Sequence, residues 1–304
     1  MNTLKKPTVI VGIAAYNAER NILRLLSSLL KQKEEGFILE KVVVHSDQSS
    51  DDTIKKVKSL HSRKVETIES ASRKGFTGSV KTLLDSSQSD IVVLLNDDIY
   101  ISDDLFLRKA IAPIVNNHNV GLSSVALNPL KPRTFVERAV KTGYEAYAEL
   151  GKKFKDGDNI LTCDGKVLIL TRTFNEKLTF PKDLSQTGNL DTYLYMSCIK
   201  HGLSYAFAKN AFIGFRFPST ISDFLKWQKR NYLNKSMLHK SFGEETVHEY
   251  SYSKATYAFY KLKAFLRNPL GGLLIVVLGA YCALNDKFTN EKFQTKWDLV
   301  KSTK

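Results

Sequence analysis

The chain has 304 residues, 43% of them hydrophobic, and carries 45 Lys and Arg against 31 Asp and Glu for a net charge of +14. That length supports a large core and about two units, and the three scattered cysteines (Cys163, Cys198, Cys282) exclude a disulfide framework and lack metal-ligand spacing. The charge favours an anionic partner; from Arg216 to Lys304 there are 15 basic and 7 acidic residues, so net +8 lies in the last third.

Met1 to Lys6 is polar, so no signal peptide is expected. Thr8 to Ala15 reads as a strand buried on both faces, ending in Tyr16-Asn17, with Asn17 a helix cap. The helix from about Ala18 to Gln32 sets Ile22, Leu25, Leu26, Leu29 and Leu30 on one face. Lys41 to Val44 is a second strand. Ser49 to Asp52 opens a helix with Ile54, Val57 and Leu60 facing in, and its acidic first turn suits the helix dipole. Val65 to Ile68 is a third strand, and Gly75 to Ser86 a loop and helix. Ile91-Val-Val-Leu-Leu95 is then a fourth strand, running into Asn96-Asp97-Asp98. Alternating strands and helices predict a doubly wound, mostly parallel sheet with right-handed crossovers. Tyr16-Asn17, Asp47-Gln48-Ser49 and Asn96-Asp97-Asp98 would then converge at the carboxyl strand ends on one nucleotide-sized crevice. Buried carboxylates there need a cation, and hard oxygen ligands suit Mg²⁺ or Mn²⁺.

Further on, Asn119 to Leu127 reads as a strand and Phe135 to Leu150 as a helix. Gly151 to Asn159 reads as a charged, mobile lid. Val167 to Leu170 is a strand. After the flexible Thr187-Gly188-Asn189, Leu190 to His201 is a helix with Asp191 in its first turn. Ser204 to Ala208 and Ala211 to Phe215 read as two strands. The tail changes character. Phe224 to Leu238 is aromatic and basic, and Leu270 to Leu284 is a charge-free run of 15 residues. A spanning helix needs about 20 apolar residues, so this run is expected to contact a membrane as a peripheral, re-entrant or single-span segment. Basic residues on both flanks (Lys261, Lys263, Arg267; Lys287, Lys292) favour the cytoplasmic leaflet. The expected units are 1–220, with halves at about 1–105 and 106–220, and a helical tail 221–304.

Val11 to Ile22 resembles the opening strand and turn of family 2 glycosyltransferases. Val44-His-Ser-Asp-Gln-Ser-Ser-Asp-Asp-Thr53 is similar to their second signature, and Leu95-Asn-Asp-Asp-Ile99 stands where they place an Asp-x-Asp metal motif. Leu190-Asp191 is similar to their Glu-Asp catalytic motif, and Gln228-Lys-Arg230 to a Gln-x-x-Arg-Trp motif of membrane-bound members. The resemblance covers about residues 7 to 230. It implies a GT-A fold, an inverting transfer from a nucleotide-diphosphate sugar such as a UDP- or GDP-sugar, and a divalent cation. Ala15, Tyr16 and Glu19 would line the nucleotide pocket, Asp47 would bond base or ribose, and Arg73 or Lys74 would contact base or phosphates. Asp97 would sit by sugar or ribose, Asp98 would bind metal, Arg230 would contact phosphate, and Asp191 would be the general base. The acceptor would be a glycan or lipid-linked intermediate. The departures are Asn96 for the first Asp of the metal motif, Gln48 for a turn glycine, Ser46 for a frequent Asp, Leu190 for Glu, and Asn231 where Trp would follow Arg230. The missing Trp points away from a processive polymerase and to one sugar added per encounter. Three alternatives remain: an inactive or binding-only scaffold of the same fold, a nucleotidyltransferase, whose glycine-rich phosphate loop is missing after the first strand, and a basic nucleic-acid binder. Nucleic acid is not the expected partner.

Overall fold

The computed structural model describes residues 5–232, 241–243, 248–285 and 300–303. Strands β1 (Thr8–Ala15), β2 (Ile38–Ser46), β3 (Val65–Glu69) and β4 (Ile91–Asn96) alternate with helices α1 (Ile22–Leu30), α2 (Thr53–Lys58) and α3 (Gly75–Asp85). Then come α4 (Phe106–Asn116), β5 (Val120–Pro129), α5 (Phe135–Lys153), β6 (Val167–Thr171), α6 (Arg172–Lys177), α7 (Leu190–Lys200), β7 (Ser204–Phe215) and α8 (Ile221–Tyr232). Two further helices, α9 (Lys254–Arg267) and α10 (Pro269–Leu284), follow in the tail.

The described strands form one sheet in the order β3-β2-β1-β4-β6-β5-β7. β1 pairs in parallel with both β2 and β4, so the chain winds one way from β1 to β3 and then returns to the other side of β1. β6 is antiparallel to both β4 and β5, and every other pairing is parallel. The expected α/β, mostly parallel sheet flanked by helices is therefore present. The reversed β6 has a consequence for the site, because it starts where β4 ends.

Each central strand is apolar on both sides because helices cover both sides. Val9, Val11, Ile13, Val93 and Leu95 pack with α1 and α4, whereas Ile10, Val92 and Leu94 pack with α3 and α7. Gly12 permits this approach, since a Cβ there would lie 3.1 Å from Leu83. α5 starts with a capping box: Thr134 Oγ1 accepts from the Glu137 N–H at 3.1 Å, and the Glu137 carboxylate accepts from the Thr134 N–H.

Several sequence expectations change. Asn17 does not cap α1, which begins at Ile22. It lies in the left-handed region (φ 49°), and its Oδ1 accepts from the Ser50 N–H at 2.9 Å. No acidic residue lies in the first turn of α2; Asp51 instead accepts from the Thr53 N–H at 3.0 Å. Gly151 to Asn159 is not a free lid. α5 runs through Lys153 into a 3₁₀ turn, and buried Asn159 donates to the Gly151 carbonyl at 2.7 Å. Thr187 and Gly188 are buried rather than loose. The last two expected strands are one strand, β7, whose register against β5 shifts between Val125 and Ala126. Among the described residues no helix is long and apolar enough to cross a membrane. The charge-free run forms α10, which lies along α5: a Cβ at Gly271 would stand 3.1 Å from Ala139 Cα, and Gly143 closely faces Ile275.

Replacing Thr134 with Ala removes one half of the capping box. We expect a stability loss of about 1 kcal/mol in urea unfolding, with an unchanged denaturant slope.

Candidate active site

β1 and β4 are the strands at which the winding reverses, so their carboxyl ends diverge and leave a crevice. Tyr16 follows β1 and Asp97-Asp98 follow β4. Asp97 is buried, and its Oδ2 accepts from the Tyr16 N–H at 3.0 Å, tying the two strand ends together. Ala15 is buried beneath this turn, and its carbonyl accepts from the Asp47 N–H at 2.9 Å.

Asp47 closes the same edge from β2. Its buried carboxylate accepts from the Lys74 N–H at 2.6 Å and the Gly75 N–H at 2.9 Å, the first amides of α3, and the Arg73 guanidinium lies 3.7 Å away. Those amides would otherwise lack partners at a helix start. Arg73 also stacks on Tyr16, its guanidinium carbon 3.8 Å from the ring centroid. The Lys74 side chain is exposed. Glu19 braces the other flank. Its carboxylate accepts from the Asp52 N–H at 3.2 Å, and its own N–H donates to Asp51 at 3.0 Å. Ala15, Tyr16, Asp47, Arg73, Lys74 and Asp97 are thus brought to one edge, with Glu19 beside them. The Arg230 side chain lies outside the described residues.

Asn96 and Asp98 each bury an oxygen, Oδ1 in both cases, that has no hydrogen-bond partner. A buried, unpaired carboxylate oxygen is costly. An amide oxygen and a carboxylate oxygen two positions apart could give an Mg²⁺ or Mn²⁺ ion two of its hard oxygen ligands. Among the described residues no group of three or more His, Cys, Asp or Glu could hold a metal by itself.

Because β6 is antiparallel, its start lies at the β4 end. The Asn96 N–H donates to the Lys166 carbonyl at 3.1 Å, and Lys166 Nζ pairs with Asp164 at 3.4 Å. Gly165 then donates its N–H to Asp191 Oδ2 at 3.1 Å, while Asp191 Oδ1 accepts from the Thr192 N–H at 2.7 Å. A Cβ at Gly165 would be within 4 Å of both Asp191 and Phe76 of α3, so α3 and Asp191 meet at this residue. Burial, then the nearby Asp164 carboxylate, push the Asp191 carboxyl up to about 6, partly offset by hydrogen bonds from Thr192 and Gly165. A carboxylate with that proton affinity suits a general base near neutrality.

Asp164, Lys166 and Phe76 were not among the sequence candidates, and neither was an aromatic wall beside Asp191. Tyr250 reaches Thr192 through its hydroxyl, and burial, then the Asp191 charge, raise its pKa. Tyr252 packs edge-on against Phe154 and Tyr257. Buried Glu249 fastens this segment, accepting from Lys155 and from the Tyr195 hydroxyl at 2.7 Å each. Asp183, eight residues before Asp191, caps a 3₁₀ turn by accepting from the Ser185 N–H.

A crevice at the switch point of a seven-stranded α/β sheet, with acidic groups on two sides, is where such a fold binds its ligand. The profile of glycosyl transferase family 2 matches residues 10–179, and the chain belongs to that family. It is a nucleotide-sugar glycosyltransferase with the GT-A fold. A mannosyltransferase from Pyrobaculum calidifontis, solved with GDP-Man and Mn²⁺, superposes with a TM-score of 0.62 at 17% identity, covering 93% of this chain and 82% of that one. A glucosyl-3-phosphoglycerate synthase from Mycobacterium tuberculosis, solved with Mn²⁺, UDP and glucosyl-3-phosphoglycerate, gives 0.56 at 17% identity over 78% of this chain and 80% of that one. No curated protein matches the chain by sequence.

Asp47→Ala leaves the Gly75 amide buried and unpaired and the half-buried Lys74 amide without its carboxylate, so we expect it to cost about 2 kcal/mol in urea unfolding. For a transfer that uses Asp191 as its base, the raised value predicts a rate that falls as pH drops through about 6, where this carboxylate becomes protonated. Asp164→Asn removes a neighbouring negative charge and moves this acid limb to lower pH. A pH–rate profile of both proteins checks this. The stability sign is opposite to that of a salt-bridged acid. The folded state holds this proton more tightly than the unfolded chain, so Asp191 costs stability as pH rises from about 4 to 6.

Proposed function

We propose that the protein is an inverting glycosyltransferase that moves a single sugar from a UDP- or GDP-sugar to a hydroxyl of a glycan or lipid-linked acceptor. Its setting is the cytoplasmic face of the cell membrane. The observation that carries the reading is the pair of acidic stations joined through Gly165 and Lys166. Asn96 and Asp98 offer unpartnered buried oxygens on one side, and Asp191 has a raised proton affinity on the other.

Each station has one task. Asp191 accepts the proton of the attacking hydroxyl as its oxygen bonds to the anomeric carbon. The bond from that carbon to the diphosphate oxygen breaks on the opposite face, which inverts the centre. Asn96 and Asp98 would hold a divalent cation, which when bound offsets the charge developing on the departing nucleoside diphosphate. Tyr16, Arg73, Lys74 and Asp47 form the edge that takes the nucleotide, with Ala15 and Glu19 supporting its turn and Asp97 fixing Tyr16. The tyrosine wall at 250–252 faces the acceptor side.

The test is calorimetry with UDP, GDP, CDP and dTDP, each with and without Mn²⁺, on the wild type and Asp98→Ala. One nucleotide should bind, with a gain from Mn²⁺ of about tenfold or more that the variant loses. Binding of no nucleotide overturns the reading. Asp191→Asn should retain nucleotide binding and lose transfer by about 10³-fold.

A further inference from the structure

α9 and α10 form a hairpin with two unlike sides. Its inner side is interlocked with α5. Asn268, at the turn, accepts from the Gly271 N–H at 3.2 Å to cap α10 and donates to Thr142 Oγ1 at 2.8 Å on α5. Leu278 and Cys282 of α10 are buried.

The outer side is apolar and open. Leu262 and Leu266 on α9 continue into Leu270, Leu273, Val277 and Leu284 on α10, each more than half exposed and Leu284 86% exposed. Within each helix their spacing, by three, four or seven residues, sets them on one face. α10 holds no charged residue, and α9 holds Lys254, Lys261, Lys263 and Arg267 with no acid. All four basic residues are exposed. A surface of this extent, apolar and rimmed by a single sign of charge, needs an apolar occupant with an anionic border.

We propose that the outer face of the α9–α10 hairpin docks in the plane of an anionic lipid bilayer, without crossing it. A 16-residue helix reaches only about 24 Å at 1.5 Å per residue, short of the ~30 Å hydrocarbon core. The aliphatic stripe enters the headgroup boundary, while Lys261, Lys263 and Arg267 meet lipid phosphates. Tyr257, in the first turn of α9, is in ring contact with Tyr252 of the wall beside Asp191. Tyr257 belongs to the inner side of α9, so the hairpin that carries the docked face adjoins the acceptor side of the crevice. This last point rests on the proposed transferase reading and gives it an acceptor carried by the lipid surface.

The test is sedimentation of the full chain with vesicles of phosphatidylcholine, with and without phosphatidylglycerol. Binding should require phosphatidylglycerol, weaken with salt, and fall by about tenfold or more in Leu266→Glu/Val277→Glu and in Lys261→Glu/Lys263→Glu. All four positions are exposed, so thermal melts should match the wild type. Failure to bind either vesicle overturns the proposal, as does undiminished binding by both variants. A dimer in solution that Leu266→Glu/Val277→Glu dissolves, with no vesicle binding, assigns the face to a second copy and also overturns it. Nucleotide calorimetry on the same samples separates the two readings: nucleotide binding without vesicle binding removes only the bilayer.

Discussion

The crevice is held open and in register by carboxylates that accept backbone N–H bonds from neighbouring loops. Asp97 at the end of β4 holds the Tyr16 amide after β1. Asp47 at the end of β2 holds the first amides of α3, Asp51 holds the Glu19 amide, and Asp191 holds Gly165 before β6. Charge-assisted bonds of this type are worth about 1.5–3 kcal/mol each. Each spans at least 26 residues of sequence. The parallel sheet supplies strand ends at one level, but these anions decide which loop lies against which.

An acid in this crevice therefore either fixes a loop or remains available for chemistry, and hydrogen bonding separates the two. Asp97 and Asp47 are committed to amides, and both are buried. Asp98 keeps an oxygen without a partner. Asp191 does both, since its amide bonds fix its orientation while burial and Asp164 keep its proton affinity high. A base that is rigid and still basic at neutrality needs both influences.

The amino-terminal half was legible because its strands are continuous apolar runs and its turns sit at their carboxyl ends. Thr8–Ala15 and Ile91–Asn96 came through with their polar ends together for that reason. What stayed hidden depended on strand direction. Val167 to Thr171 reads as a buried strand in either orientation, yet only the antiparallel one carries Asp164 and Lys166 to the end of β4. The tyrosine wall was illegible because Tyr250 and Asp191 are far apart in sequence and are joined by a fastening no periodicity encodes, Glu249 to Lys155 and Tyr195. Gly151 to Asn159 misled because its charges and glycines match a loop's composition, whereas buried Asn159 supplies the hydrogen bonds that close the helix end.

The Arg73–Tyr16 stack has a consequence for donor selection. A guanidinium already covers one face of the ring that borders the proposed nucleotide edge. A base that took that face of Tyr16 would first have to displace the guanidinium, so its net stacking gain would be a difference between two contacts.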